Sequence, residues 1–190
     1  MVNLQVVDWS SLPEPIDDGA ATHLSGMVMP DVELPSTDNE MVNLGKIRGW
    51  SVLFFYPMTG RPGTPLPDGW DAIPGARGCT PQTCAFRDLA KELSAKGIRA
   101  VYGISTQTTE YQLEATKRLH LPFPLLSDTY LTLTKRLQLP TFKVNEMVLI
   151  KRLTLVLNNS EVKRSFYPVF PPDQNPAEVL GFLDSTHIES

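Results

Sequence analysis

Cysteine and histidine are scarce in this chain of 190 residues, with two of the first and three of the second. Two cysteines, Cys79 and Cys84, are too few for the bridges that hold a small secreted fold, and they point to a reducing compartment. His23, His120 and His187 are scattered with no i, i+4 pair, which argues against a zinc site. Long apolar runs are absent. Val52-Leu53-Phe54-Phe55-Tyr56 is far short of the roughly 20 residues that a spanning helix needs. Positive charge is not in excess either: 17 Lys and Arg against 21 Asp and Glu give a net charge of −4. A general nucleic-acid binder, which must neutralise phosphates, is therefore not expected. The first 24 residues hold Asp8, Glu14, Asp17 and Asp18, with no basic n-region and no apolar h-region, so no signal peptide is read there and a cytoplasmic protein is expected.

What is present is an ordinary globular composition, 42% hydrophobic, in a length that suits one domain with an arm. Residues 1–24, with Pro13, Pro15 and Asp17-Asp18, predict a flexible or draped arm in front of a domain over 25–190. Val32 and Leu34 point one way in a short strand, and Val52 to Tyr56, apolar on both faces, predicts a central parallel-type strand. Between Pro57 and Pro81 lie six of the 17 prolines and five of the 12 glycines, which excludes regular structure and marks a long loop of functional interest. Phe86, Leu89, Ala90 and Leu93 space a helix over Gln82 to Lys96, with Thr80-Pro81 as its start signal and Gly97 as its stop. Ile98–Ser105 follows as a strand and Thr109–His120 as a helix. A short strand lies within 121–128, and Leu131–Leu137 is a short helix. Met147–Ile150, Leu153–Leu157 and Glu161–Tyr167 are strands, the last two joined by the Asn158-Asn159-Ser160 turn, and a helix over Pro176–Leu183 closes the chain. Alternating strands and helices followed by a late hairpin imply an α/β thioredoxin-like sandwich, with a mixed central sheet flanked by helices.

The chemistry gathers at the cysteines. Cys79 stands at or just before a helix start, after Gly75-Ala76-Arg77-Gly78, where unpaired N–H groups and the positive dipole end favour thiolate over thiol. Arg77 is adjacent and adds positive charge. The bland alternative is an inert buried cysteine. Cys84 lies five residues on. An ideal helix separates two such Cα atoms by roughly 8–9 Å, and a disulfide needs less than ~7 Å. A bond between them therefore requires the first helical turn to unwind; otherwise Cys84 simply packs with Phe86 and Leu89.

The run Gly78-Cys79-Thr80-Pro81-Gln82-Thr83-Cys84-Ala85-Phe86-Arg87-Asp88 resembles the G-C-T-x-x-x-C-x-F-R-D run of the peroxiredoxins, in their bacterioferritin-comigratory or Q-type branch. Met29-Pro-Asp-Val-Glu-Leu34, Val52-Leu-Phe-Phe-Tyr-Pro57, Leu121-Pro-Phe-Pro-Leu-Leu-Ser-Asp128 and Arg152-Leu-Thr-Leu are similar to further segments of that branch, so the likeness spans most of the chain. The resemblance implies a thiol-dependent peroxidase acting on hydrogen peroxide and organic hydroperoxides. It implies that Cys79 attacks the peroxide and becomes a sulfenic acid, and that Cys84 resolves it as an intramolecular disulfide. Arg152 is implied to stabilise the thiolate and the leaving oxygen. Pro57 is implied to shield the sulfenic acid, with Gly78 and Thr80 beside it at the substrate. A thioredoxin-like or glutaredoxin-like reductant recycles the pair, no metal or organic cofactor is called for, and the protein is a monomer or homodimer. Two departures stand out. The threonine that the branch places three residues before the cysteine is Ala76 here, and Met58 to Gly78 is an insertion. Thr59, Thr64 and Thr80 are the hydroxyls open to take its place. A one-cysteine peroxidase with Cys84 idle remains an alternative, as does a redox-sensing or partner-binding module without efficient turnover.

Overall fold

A computed structural model describes residues 7–186, so the first six residues of the arm and His187 lie outside the described residues. Five strands form the central sheet: β3 (Trp50–Phe55), β4 (Ile98–Ser105), β5 (Leu125–Ser127), β8 (Leu153–Asn158) and β9 (Glu161–Phe166), in the order β5-β4-β3-β8-β9. β3, β4 and β5 run parallel, while β8 and β9 are antiparallel to their neighbours. The sheet is thus mixed, as the late hairpin predicts.

β3 is apolar on both faces because both faces are covered. Side chains alternate across a strand. Leu53 and Phe55 enter one cluster with Leu133, Leu137, Leu155 and Leu157, on the side of α4 (Thr132–Arg136). Val52, Phe54 and Tyr56 enter the other with Phe86, Leu93, Ala115 and Val179. Those last residues belong to α1 (Cys79–Asp88), α2 (Ala90–Ala95), α3 (Thr109–Arg118) and α5 (Asn175–Ser185). The same alternation sends consecutive residues of β3 to helices on opposite sides and anchors the strand whose end opens on the cysteine loop.

Two two-stranded sheets complete the fold: β1 (Glu33–Pro35) with β2 (Met41–Asn43), and β6 (Thr141–Val144) with β7 (Met147–Ile150). The Met58–Gly78 insertion holds only one turn of 3-10 helix, Trp70–Ala72, yet it has a small core of its own. Trp70 and Ala76 bury against Val144 and Leu149, with Met58, Leu66, Ile73 and Phe142 packed around them. The insertion is therefore seated on the β6–β7 hairpin.

The helix predicted over Gln82 to Lys96 differs in two respects. It begins three residues earlier, at Cys79, and it divides at Leu89, whose backbone turns to φ −100° and ψ 11°. The Leu89 N–H is shared between the Ala85 and Arg87 carbonyls at that joint.

Candidate active site

Cys79 is the first residue of α1 and is 4% exposed. The cap is Gly78, not Thr80. Gly78 has φ 106° and ψ 16°, and no side chain caps the helix. A side chain at position 78 would be strained by that φ and would have no room, because its Cβ would overlap the Pro172 ring and fall 2.8 Å from the ring of Trp9. Glycine is thus what lets the turn approach so closely to its neighbours.

Arg152 sits between β7 and β8, is 3% exposed, and reaches back to this turn. Its Nη2 donates to Cys79 Sγ at 3.2 Å and shares its hydrogens with the carbonyls of Gly75, Ala76 and Arg77, each also at 3.2 Å. Its Nη1 donates to Gln82 Oε1 at 2.6 Å. The seven ion pairs among the described residues leave Arg152 without a carboxylate. Taking a guanidinium out of water unpaired costs several kcal/mol. The ionisable group that this buried cation touches is the Cys79 sulfur. Arg77, expected to add positive charge, directs its guanidinium to Asp71 at 2.8 Å and offers Arg152 only its carbonyl.

Behind Gln82 runs a buried relay. Gln82 Nε2 donates to Asn175 Oδ1 at 3.2 Å, the Thr154 hydroxyl donates to the same oxygen at 2.6 Å, and Asn175 Nδ2 donates to Glu178 at 3.2 Å. Gln82, Asn175 and Thr154 are fully buried. The amide of Gln82 is thereby fixed with its oxygen toward Arg152, and the guanidinium is held from behind as well as from the turn.

A cavity of about 350 Å³ opens on Cys79, lined in part by Met58, Leu66, Trp70 and Leu119. Gly78, Thr80 and Thr64 also line it, as does Ala76, the residue at the missing threonine's position. Thr59 does not. It is buried, and its hydroxyl and backbone N–H both turn to Gln107 Oε1. Pro57 is buried just past the end of β3 and is not part of the cavity wall. His120 is exposed after α3 and is not part of that wall, although its neighbour Leu119 is.

Cys84 is 4% exposed within the apolar cluster of Phe54, Phe86 and Leu93. Burial pushes its thiol up from the ordinary value; Arg87 opposes this, Asp88 adds to it and Arg118 opposes it more weakly. Both cysteines are free, and α1 runs unbroken through them. In this state Cys84 is therefore a protonated, enclosed thiol on the same helix as Cys79.

The Redoxin family matches residues 24–180 of the chain. A Coxiella burnetii protein named as a peroxiredoxin bcp is 30% identical over 162 residues, covering 83% of this chain and 97% of that one. This chain belongs to the peroxiredoxins, in the bcp or Q branch. The chloroplastic peroxiredoxin Q of rice (Oryza sativa subsp. japonica) is 32% identical over 162 residues, 84% of this chain but only 66% of its own length. Among solved structures, the peroxidoxin BcpB of Mycobacterium tuberculosis superposes with a TM-score of 0.70 at 27% identity, over 86% of this chain and 98% of that one.

In this peroxiredoxin, sequence reasoning singled out Cys79, Cys84, Arg152, Pro57, Gly78 and Thr80; the fold brings Cys79, Arg152, Gly78 and Thr80 to one cavity or its edge, and leaves Cys84 and Pro57 off its wall. It missed Gln82 and Asn175, and also the packing of Trp9 on the Gly78 turn outside the cavity. Gln82 and Asn175 meet across 93 positions and Trp9 reaches Asp173 across 164, so no local spacing could reveal them.

Proposed function

We propose that this peroxiredoxin is a two-cysteine peroxidase in which Cys79 is the attacking thiolate and Cys84 resolves it. The observation that carries the reading is the contact of Arg152 with Cys79 Sγ, made by a buried cation that pairs with no carboxylate among the described residues. The Cys79 sulfur lone pair attacks one peroxide oxygen and the O–O bond breaks. Sulfur loses two electrons, and the other oxygen leaves as water or alcohol after taking a proton. Arg152 stabilises the sulfur before attack and the departing oxygen during it. Gly78 and Thr80 are assigned to the peroxide, and Pro57 to shielding the sulfenic acid. Cys84 then condenses with Cys79–SOH, releasing water and forming the disulfide, once the first turn of α1 has unwound. A thioredoxin-like or glutaredoxin-like dithiol restores both thiols by exchange. A reducing, cytoplasmic setting suits two free cysteines; none of the described helices is long and apolar enough to cross a membrane.

The test is peroxide consumption with a thioredoxin system, together with peptide mapping of the oxidised chain. Catalytic turnover with a Cys79–Cys84 cross-link is expected. Turnover with no cross-link would make it a one-cysteine enzyme. Ala76, which supplies no hydroxyl to the cavity, favours a second reading as a redox sensor; stoichiometric oxidation of Cys79 without turnover would establish that instead.

The resolving step has a defined pH dependence. Cys84 must lose its proton to attack, and burial holds it protonated. Its neutral form is favoured in the wound helix, so that stabilisation is full below the ordinary thiol value and fades as pH rises past it. Below that value the unwinding equilibrium does not change with pH, and the thiolate fraction of Cys84 alone carries the dependence. In rapid-quench single turnovers between pH 6 and 8, the disulfide-forming rate should rise about tenfold per pH unit, as a thiolate fraction does. A flat profile would show that ionisation of Cys84 does not limit resolution.

A further inference from the structure

The arm makes contacts with the cysteine loop that the peroxidase chemistry does not use. The Trp9 ring lies against Gly78, where a Cβ would come within 2.8–3.0 Å of two of its atoms. Its indole N–H donates to Asp173 at 3.0 Å, and its ring meets Phe170 edge-on at 6.1 Å. Pro15 presses on Gly75, 3.3 Å from the corresponding Cβ position. Gly75 is a residue whose carbonyl holds Arg152. The far end of this stretch is tied down by Asp18, which accepts from Lys151 at 2.7 Å and from the Tyr167 hydroxyl at 2.8 Å. Those two bonds, the Lys151 one foremost, hold the Asp18 carboxyl down at about 2, so the tie stays charged at neutral pH. All of these arm residues precede the segment that the Redoxin family matches, 24–180.

We propose that residues 8–18 are a clamp on the turn before Cys79, with Trp9 as its principal contact, and that the clamp sets how fast α1 unwinds for Cys84 to reach the oxidised sulfur. This rests on the two-cysteine reading. Unwinding the first turn must move Gly78 and Cys79 and break the Gln82 N–H bond to the Gly78 carbonyl. It must also pull Gly78 from under Trp9. A contact made only in the wound state stabilises that state alone, and so lowers the population of the unwound one. The consequence is a partition. Cys79–SOH either meets Cys84–SH, giving the disulfide and water, or meets a second peroxide, giving Cys79–SO₂H and water or alcohol. A tighter clamp prolongs the sulfenic acid and shifts flux to the second route. Trp9 is a positioning residue, since it touches the turn and not the reacting atoms.

The experiment uses the full chain, with Trp9→Ala, Trp9→Phe and Asp18→Asn. Single turnovers are quenched by alkylation and read by mass spectrometry. Cys79 oxidation, disulfide formation and sulfinic acid are followed separately. Trp9→Ala should raise the disulfide-forming rate about tenfold, equivalent to ~1.4 kcal/mol in the wound-to-unwound equilibrium. The peroxide concentration that half-converts Cys79 to sulfinic acid should rise by a similar factor, while the rate of Cys79 oxidation stays within about twofold. Trp9→Phe, which keeps a ring against Gly78, should return most of the wild-type behaviour. Asp18→Asn, loosening only the far tie, should move both readouts the same way by about threefold, as a partly exposed ion pair allows. If the wild type forms the disulfide, and Trp9→Ala and Asp18→Asn both leave its rate and the sulfinic threshold unmoved, the clamp is refuted and the peroxidase reading stands. Equal slowing of Cys79 oxidation and resolution in Trp9→Ala would also refute it. A wild type with no Cys79–Cys84 disulfide refutes the two-cysteine reading itself.

Discussion

Cys79→Ser will leave a folded chain that consumes no peroxide above background, a loss on the order of 10³-fold or more, as expected when a nucleophile is removed. The serine hydroxyl fits the space, but it does not ionise near neutral pH and is a poor nucleophile toward a peroxide oxygen. Loss of structure will not explain the result. Arg152 Nη2 already shares its hydrogens with three carbonyls, and the Thr83 hydroxyl bonds the backbone oxygen of residue 79 at 2.8 Å, a contact that serine keeps. The stability change should therefore be about 1 kcal/mol, that of one net hydrogen bond. Peroxide consumption with dithiothreitol, which bypasses any preference for a protein reductant, combined with a thermal melt, checks both halves. Residual turnover above background in Cys79→Ser would assign the attacking group elsewhere, and Cys84 is the other sulfur able to supply it.

How much of this could be read from the chain depends on the range over which each feature is determined. β3 was legible because burial on both faces leaves a continuous apolar run, and the structure covers both faces. The reactive position was legible because a glycine-rich turn before a helical pattern is a local signal. The start of α1 was misplaced for the opposite reason. Thr80-Pro81 is a good local start signal, but Gly78 takes the capping conformation under the grip of Arg152, Trp9 and Pro172, which come from distant parts of the chain. Strand β6 was missed because four residues after Pro140 carry little pattern of their own. Its signal was Asn145, which at φ 50° lies in the two-residue link that pairs Val144 with Met147. The insertion showed itself in prolines and glycines, but its seat on Phe142, Val144 and Leu149 follows only from the hairpin that the pattern did not reveal.

Arg152 separates charge from architecture, because it does two things with one side chain. It places a cation 3.2 Å from the sulfur, and it ties together the carbonyls of residues 75–77 and the amide of Gln82. Arg152→Gln keeps a donor and discards the charge. Loss of a preorganised charged donor at the reacting atoms costs about 10²–10³-fold, and that fall is expected in the second-order rate of Cys79 oxidation by hydrogen peroxide. Arg152→Lys restores the charge as a compact ammonium with three donors, which cannot span Gln82, the turn and the sulfur in one plane. If electrostatic attraction to the sulfur dominates, lysine recovers most of the rate. If the planar fork that holds the turn dominates, lysine stays within about tenfold of glutamine. The geometry favours the second outcome, since four of the five acceptors around Arg152 belong to the frame and only one is the reacting sulfur. Gln82→Ala tests the same point without touching the charge. It removes the Nη1 acceptor and the link to Asn175, and the oxidation rate should fall by about tenfold, the worth of one hydrogen bond to a charged group. Stopped-flow competition for peroxide across the four proteins would order them, and wild-type rates in Arg152→Gln would remove Arg152 from the mechanism.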